Sequence, residues 1–286
     1  TSTPTATLTL TPTVTVTQPP ASTGGRIAFT RGVQSAAEIA LMDDNGQNVT
    51  VLTSNGYYDG EPDWSPDGTR LAYESDVNGN TDLFIMNAQG SGIVQITSAA
   101  EPDRHPDWQP NGQTILFESG SGDSAELYVV NPDGTNLTRL TNNSTGDRTP
   151  RFSPDGTRIA FMTNQRGKWE IAVMDYPSGA NLRIYDCPGA DCRFPAWAPD
   201  GTQIVYNTLA GAKADKVYTL NVSTGQSSLL VDGFMSGRPD WAGNGLFIYF
   251  NREVSGITQI YRIDLSTRLI EMLTQGAGDN YGPDWR

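Results

Sequence analysis

One phrase governs this sequence because it returns at a fixed interval. It reads Pro62-Asp-Trp-Ser-Pro-Asp-Gly68, Pro106-Asp-Trp-Gln-Pro-Asn-Gly112, Pro150-Arg-Phe-Ser-Pro-Asp-Gly156, Pro195-Ala-Trp-Ala-Pro-Asp-Gly201 and Pro239-Asp-Trp-Ala-Gly-Asn-Gly245. A sixth copy, Pro283-Asp-Trp-Arg286, is cut short. The leading prolines are 44, 44, 45, 44 and 44 residues apart. A period of that length marks a repeat architecture, in which each unit is one supersecondary element that cannot bury its apolar face alone.

Each unit reads alike. Asp-Gly or Asn-Gly supplies a tight turn, because these residues accept a positive φ. A short apolar strand follows, as in Arg70-Leu-Ala-Tyr-Glu-Ser75. A polar loop leads to a second, such as Asp82-Leu-Phe-Ile-Met-Asn87, and a Gly turn to a third, such as Val94-Gln-Ile-Thr97. The Pro-x-Trp segment is the fourth. Four short strands per unit with an aromatic at a fixed place predict a β-propeller blade. Gly24-Gly-Arg-Ile-Ala-Phe29 aligns with Gly68-Thr-Arg-Leu-Ala-Tyr73, so the first unit lacks its Pro-x-Trp strand, and Pro283-Asp-Trp285 supplies it. The expectation is an all-β, six-bladed propeller over residues 26–286, closed by the C-terminal strand, with residues 1–25 as a separate extended arm.

The phrase Pro-x-Trp-Ser-Pro-Asp-Gly, followed by Arg-[Ile/Leu]-Ala-[Phe/Tyr] and [Asp/Glu]-[Ile/Leu]-[Phe/Tyr], resembles the WD40-like propeller repeat of TolB and of many bacterial envelope proteins. The resemblance runs from Gly24 to Arg286. It implies the fold and an envelope setting but no single activity, since the repeat serves receptors, transport accessories and peptidase gating domains. The α/β domain of TolB and the hydrolase domain of the peptidases have no counterpart in these residues.

The arm is a different polymer. Residues 1–25 hold no Asp, Glu, Lys or Arg. Thr stands at every odd position, as Thr1, Thr3, Thr5, Thr7, Thr9, Thr11, Thr13, Thr15 and Thr17. Period two is the strand period, so an extended arm places the threonines on one face and Leu8, Leu10, Val14 and Val16 on the other. Pro4 and Pro12 both fall on even positions and spoil one backbone edge only. The other edge is free to add to a sheet. This reading gives Leu8, Leu10, Val14 and Val16 as docking residues on a neighbouring copy, and the nine threonines as O-glycosylation candidates. The competing reading is a plain spacer. Fully extended, 25 residues span about 80 Å, and a head-to-tail contact of that kind builds filaments.

Composition narrows the partners. With 19 Lys plus Arg against 32 Asp plus Glu, the net charge is −13, which argues against nucleic acid and anionic membranes. No run approaches the roughly 20 apolar residues of a membrane-spanning helix. No leader pattern opens the chain. One His and two Cys cannot build a His-rich or four-cysteine metal site, and no cofactor is implied. Cys187 and Cys192, in Cys-Pro-Gly-Ala-Asp-Cys, are spaced for a short disulfide-closed loop, which suits an oxidising compartment; two unpaired thiols are the alternative.

Four features could carry chemistry. His105 is the lone imidazole, but it falls at a repeat-loop position shared with Glu61, Thr149, Phe194, Arg238 and Gly282, and no nucleophile context surrounds it. Asp63, Asp107, Asp240 and Asp284 recur before the landmark Trp; they are read as backbone or Arg partners before a cation site. Asp76-Val-Asn-Gly-Asn-Thr-Asp82 spaces its oxygens like a calcium loop, yet its Gly is misplaced and the bidentate Glu is missing, so it is read as a hairpin turn. Trp64, Trp108, Trp197, Trp241 and Trp285, with Phe152, are read as inter-blade packing rather than a glycan platform. The functional expectation is a non-catalytic extracellular or cell-surface protein of a bacterial envelope, built as a surface or fibre subunit through its arm. The alternative is a tethered module that binds a protein, peptide or glycan.

Overall fold

The computed structural model describes residues 24–33, 35–189, 191–209, 215–233 and 237–285. The arm, with Leu8, Leu10, Val14, Val16 and its odd-numbered threonines, lies outside the described residues. The rest forms six four-stranded antiparallel sheets. Each blade runs from an innermost Pro-x-Trp strand outward. Blade 2, for example, contains Asp59–Trp64, Arg70–Ser75, Asp82–Asn87 and Val94–Gln95. Blade 1 takes its innermost strand, Asn280–Trp285, from the other end of the chain, paired with Arg26–Arg31 in the register Ile27 to Trp285 and Arg31 to Asn280. The ring is closed by its own C-terminus, which removes an open sheet edge.

The turn residues hold each inner hairpin. Asp67 Oδ1 accepts hydrogen bonds from Ser65 Oγ at 2.7 Å, Thr69 Oγ1 at 2.8 Å and Thr69 N at 3.0 Å. These donors hold its carboxyl down at about 2, with the Ser65 hydroxyl the largest cause. Gly68 takes the left-handed conformation (φ 68°) that the turn requires. Asp155 repeats the arrangement with Ser153 and Thr157.

The aromatics pack between blades. Trp64 joins Ala28, Ile39 and Leu41 of blade 1 to Leu71 and Tyr73 of its own blade. Trp108, Phe152 and Trp197 make the corresponding cores further round. The preceding blade lays a guanidinium on three of them: Arg26 on Trp64 at 5.6 Å, Arg70 on Trp108 at 4.7 Å and Arg158 on Trp197 at 4.7 Å. Trp241 and Trp285 are half-buried. Blade 5 offers Gln203 where three other blades offer Arg, so Trp241 lacks that lid.

The repeated Asp is a latch between neighbours. Asp63 Oδ2 accepts the backbone N–H of Trp108 at 2.7 Å, Asp107 that of Phe152 at 2.7 Å, and Asp284 that of Trp64 at 2.8 Å. Asp240 takes that of Trp285 at 3.3 Å. Arg151 and Ala196 stand in the remaining two places. Cys187 and Cys192 form a disulfide with a Cα–Cα distance of 5.7 Å, at the crossover from blade 4 to blade 5. No helix among the described residues is long and apolar enough to cross a membrane.

Replacing Asp107 by Ala strands the buried Phe152 N–H and takes one carboxylate from Arg151. Urea unfolding is expected to show a loss of about 1–3 kcal/mol. Asp133→Ala, at an exposed turn, is expected to change little.

Candidate functional site: the collar of the axial channel

The proline that follows forces each inner strand to solve a local problem at the residue before it. A pre-proline residue avoids the helical region, and here all six adopt positive φ: Glu61 at 50°, His105 at 52°, Thr149 at 47°, Phe194 at 52°, Arg238 at 58° and Gly282 at 60°. The register of the inner pair slips at the same point in every blade, as between Gly60 and Asp63 or between Arg104 and Asp107. Such bulges re-aim side chains. Left-handed geometry at a non-Gly residue costs about 1–3 kcal/mol and persists only when its surroundings hold it.

They do. A polar side chain on the second strand of the preceding blade accepts the strained backbone N–H. Thr30 Oγ1 takes that of Glu61 at 3.0 Å, Glu74 Oε2 that of His105 at 3.0 Å, Glu118 Oε2 that of Thr149 at 2.6 Å and Asn251 Oδ1 that of Gly282 at 3.2 Å. Sequence reading missed these acceptors. Their signal was present: Thr30, Glu74, Glu118 and Asn251 share one repeat position inside strands that are otherwise apolar and buried.

The six residues, with the prolines behind them, ring one level of the channel. Their side chains do not repeat. Arg238 forms an ion pair with Glu61 across Gly282. A Cβ on Gly282 would make ordinary contact with both partners at about 3.4 Å, and it is the φ of 60° that favours glycine there. The Arg238 guanidinium lies between Phe194 at 5.1 Å and Tyr281 at 5.3 Å, and burial pulls its pKa below the ordinary value. His105 Nδ1 sits 3.3 Å from Glu118 Oε2, and its ring tilts against Phe194 at 6.1 Å. Burial pushes the Glu118 carboxyl up, but His105, Arg148 and the Thr149 N–H outweigh it and hold Glu118 at about 2. Glu118 and His105 thus resemble the orienting half of a general-base pair. Among the described residues, His105 Nε2 and Thr149 Oγ1 have no hydrogen-bond partner.

The cavity that the collar encloses is small, about 30 Å³, enough for one or two waters. Arg151 occupies it, 3.3 Å from Asp107 and 3.8 Å from Asp63. Burial and mutual repulsion raise the carboxyls here. Asp63 is pushed well above its ordinary value by burial and then by Asp284 and Asp107. Burial takes Asp107 and Asp240 to about 6 against the pull of Arg151. Burial and then Asp240 take Asp284 to about 8. The aspartates expected to serve as backbone and Arg partners are placed in that role. Among the described residues no three His, Cys, Asp or Glu side chains are grouped to hold a metal. The Asp76–Asp82 loop spends its polar groups within the protein: Asp76 Oδ1 accepts the Tyr58 N–H at 2.8 Å, and Asn80 donates to Ala99 and Glu101 carbonyls.

Residues 6–145 and 103–286 match the TolB beta propeller domain, PD40. The chain belongs to that family. Its fold matches TolB from Acinetobacter baumannii with a TM-score of 0.83 at 20% identity, over 93% of this chain and 67% of that one. A putative TolB from Agrobacterium tumefaciens gives 0.71 at 16% identity, over 91% and 92%. An oligogalacturonate lyase in complex with manganese gives 0.61 at 16%, over 86% and 73%. At these identities the TolB and lyase structures speak to fold alone. No curated protein matches the sequence.

The channel carboxyls contribute to the pH response of the propeller. Asp107, Asp240 and Asp284 titrate higher folded than unfolded, so the native state holds more protons and stability falls as pH rises from about 4 to about 8. Glu118 titrates lower when folded, so its contribution is lost as pH drops from about 4.5 to about 2. Thermal melting against pH is expected to peak near pH 4–5, and Asp284→Asn to flatten the decline on the alkaline side.

Proposed function

We propose that this propeller is a non-catalytic interaction module that binds a peptide or protein segment at the collar mouth. The observation that carries this reading is the contrast at six equivalent positions. The backbone there has positive φ in every blade and is latched in four, while the side chains are Glu, His, Thr, Phe, Arg and Gly. A purely structural ring would have no use for that diversity. The small volume at the collar favours contact with a ligand at the mouth, and the TolB family membership supports an interaction role. The disulfide and the family resemblance favour an oxidising compartment of the cell envelope.

Thr149→Arg fills the mouth while leaving the Glu118 latch, which holds the backbone, in place. Peptides selected from a random library on the wild-type protein are expected to lose about tenfold or more in affinity for this variant. Selection that yields no consensus sensitive to the substitution would sink the reading.

A second reading concerns assembly. Val49, Ile93, Leu137 and Leu182 occupy one repeat position on the outer rim, and each is at least 40% exposed. That apolar rim and the alternation of Leu8, Leu10, Val14 and Val16 in the arm support docking of the arm on a neighbouring copy, as in a surface or fibre subunit carrying sugars on its threonines. Deleting residues 1–18 is expected to abolish oligomers in light scattering; unchanged assembly reduces the arm to a spacer.

A further inference from the structure

A groove of about 380 Å³ opens between blades 4 and 5, on the face that carries the Asp-Gly turns and away from the collar. Pockets of this size hold small ligands. Two guanidiniums enter it. Arg158, at the start of the second strand of blade 4, lies over Trp197 and donates from Nη2 to the Gly201 carbonyl at 3.1 Å. Arg183, on the outermost strand of the same blade, lies 4.7 Å over Tyr185 and donates from Nη1 to the carbonyls of Val222 and Ser223, both at 2.9 Å. Tyr185 donates its hydroxyl to the Val222 carbonyl at 2.9 Å. Burial raises the Tyr185 pKa, and both guanidiniums pull against that rise, which places them together around one hydroxyl.

The pair is held but not neutralised. Each guanidinium has five N–H donors, and these three bonds leave most of them uncommitted among the described residues. Neither arginine forms an ion pair there, unlike Arg139, Arg148, Arg151, Arg166, Arg193, Arg238 and Arg262. The carboxylate in the groove, Asp175, already takes the Asn181 amide on Oδ2 at 2.6 Å. We propose that this groove binds an oxyanion, the carboxylate or phosphate group of a small ligand, between Arg158 and Arg183.

The repeat supplies the internal control. The equivalent groove between blades 2 and 3 has one guanidinium, Arg70, and carries Asp133 on its lip. The repeat position of Arg183 holds Thr50, Val94, Thr138, Ser228 and Glu271 in the other blades. The second arginine is therefore a departure confined to blade 4, and the repeat does not require it. Guanidiniums fixed by stacking and by carbonyl bonds lose little freedom when they close on an anion, and their fork geometry matches its oxygens. On a chain of charge −13 this is a local reversal of sign.

The test is calorimetric titration of the full chain with inorganic phosphate and, separately, with acetate, each against chloride at matched ionic strength. Saturable binding of phosphate alone assigns a phosphate group, and saturable binding of acetate assigns a carboxylate. Saturation by neither at about 10 mM overturns the proposal. Arg183→Gln is expected to weaken binding about tenfold, and Arg158→Lys, which keeps the charge but loses the fork, about fivefold. Arg70→Gln is expected to leave binding unchanged. Far-ultraviolet circular dichroism checks that each variant folds. Unchanged binding in a folded Arg183→Gln overturns the proposal as firmly as no binding at all.

Discussion

The hydrogen bond from a landmark backbone N–H to the aspartate of the blade before it is the contact on which the ring depends. A blade cannot bury its apolar faces alone, and apolar packing between blades is not directional. Asp63, Asp107, Asp240 and Asp284 add direction, since each fixes the height of the next blade at Trp108, Phe152, Trp285 and Trp64. The last of these joins residues 220 apart in sequence. It turns a linear array into a closed one at the point where the two chain ends meet. Four carboxylates brought so close to a channel axis repel one another, and Arg151 offsets part of that cost. Burial first, and for Asp63 and Asp284 repulsion from their neighbours next, raises the carboxyls of the channel.

Blade 5 is where the latches fail. Arg151 replaces the aspartate that would serve Trp197, Ala196 replaces the one for Trp241, and Met162 replaces the acceptor that would serve Phe194. Asn207, the remaining candidate, has no hydrogen-bond partner on Oδ1 among the described residues. The joint to blade 4 is stitched by other means: the Cys187–Cys192 disulfide, the Trp197 indole on the Arg151 carbonyl at 3.2 Å, and the carbonyl bonds of Arg158 and Arg183. The unit with the single extra residue, the disulfide and the second groove arginine is therefore one region.

The fold was legible because its determinants repeat. Turn, strand and aromatic each recur 44 or 45 residues on, and Gly24 to Phe29 against Pro283 to Trp285 already implied closure. The candidate sites were hidden for the opposite reason. His105 and Glu61 looked incidental because their repeat position tolerates any side chain. Only the backbone showed that the position is left-handed, latched and turned into the channel. Arg183 gave no signal in a single unit, since its meaning lies in meeting Arg158 from a strand two places away in the same blade. Repetition reveals scaffolds and conceals sites.

That asymmetry gives a physical criterion for function in a ring of this kind. Where six equivalent positions carry the same residue, as at the landmark proline, packing and backbone geometry set the choice. Where the backbone is constant and the side chains are Glu, His, Thr, Phe, Arg and Gly, the backbone geometry is satisfied by other residues and does not set the side chain. The strained φ values sharpen the point. A left-handed Phe194 or Thr149 costs stability that a glycine, as at Gly282, would not. Five of the six positions carry that cost together with a side chain aimed into the mouth. In four blades a buried polar side chain on the preceding blade holds that backbone in place, so the strain is carried within the ring and the side chains at these positions are left free to differ.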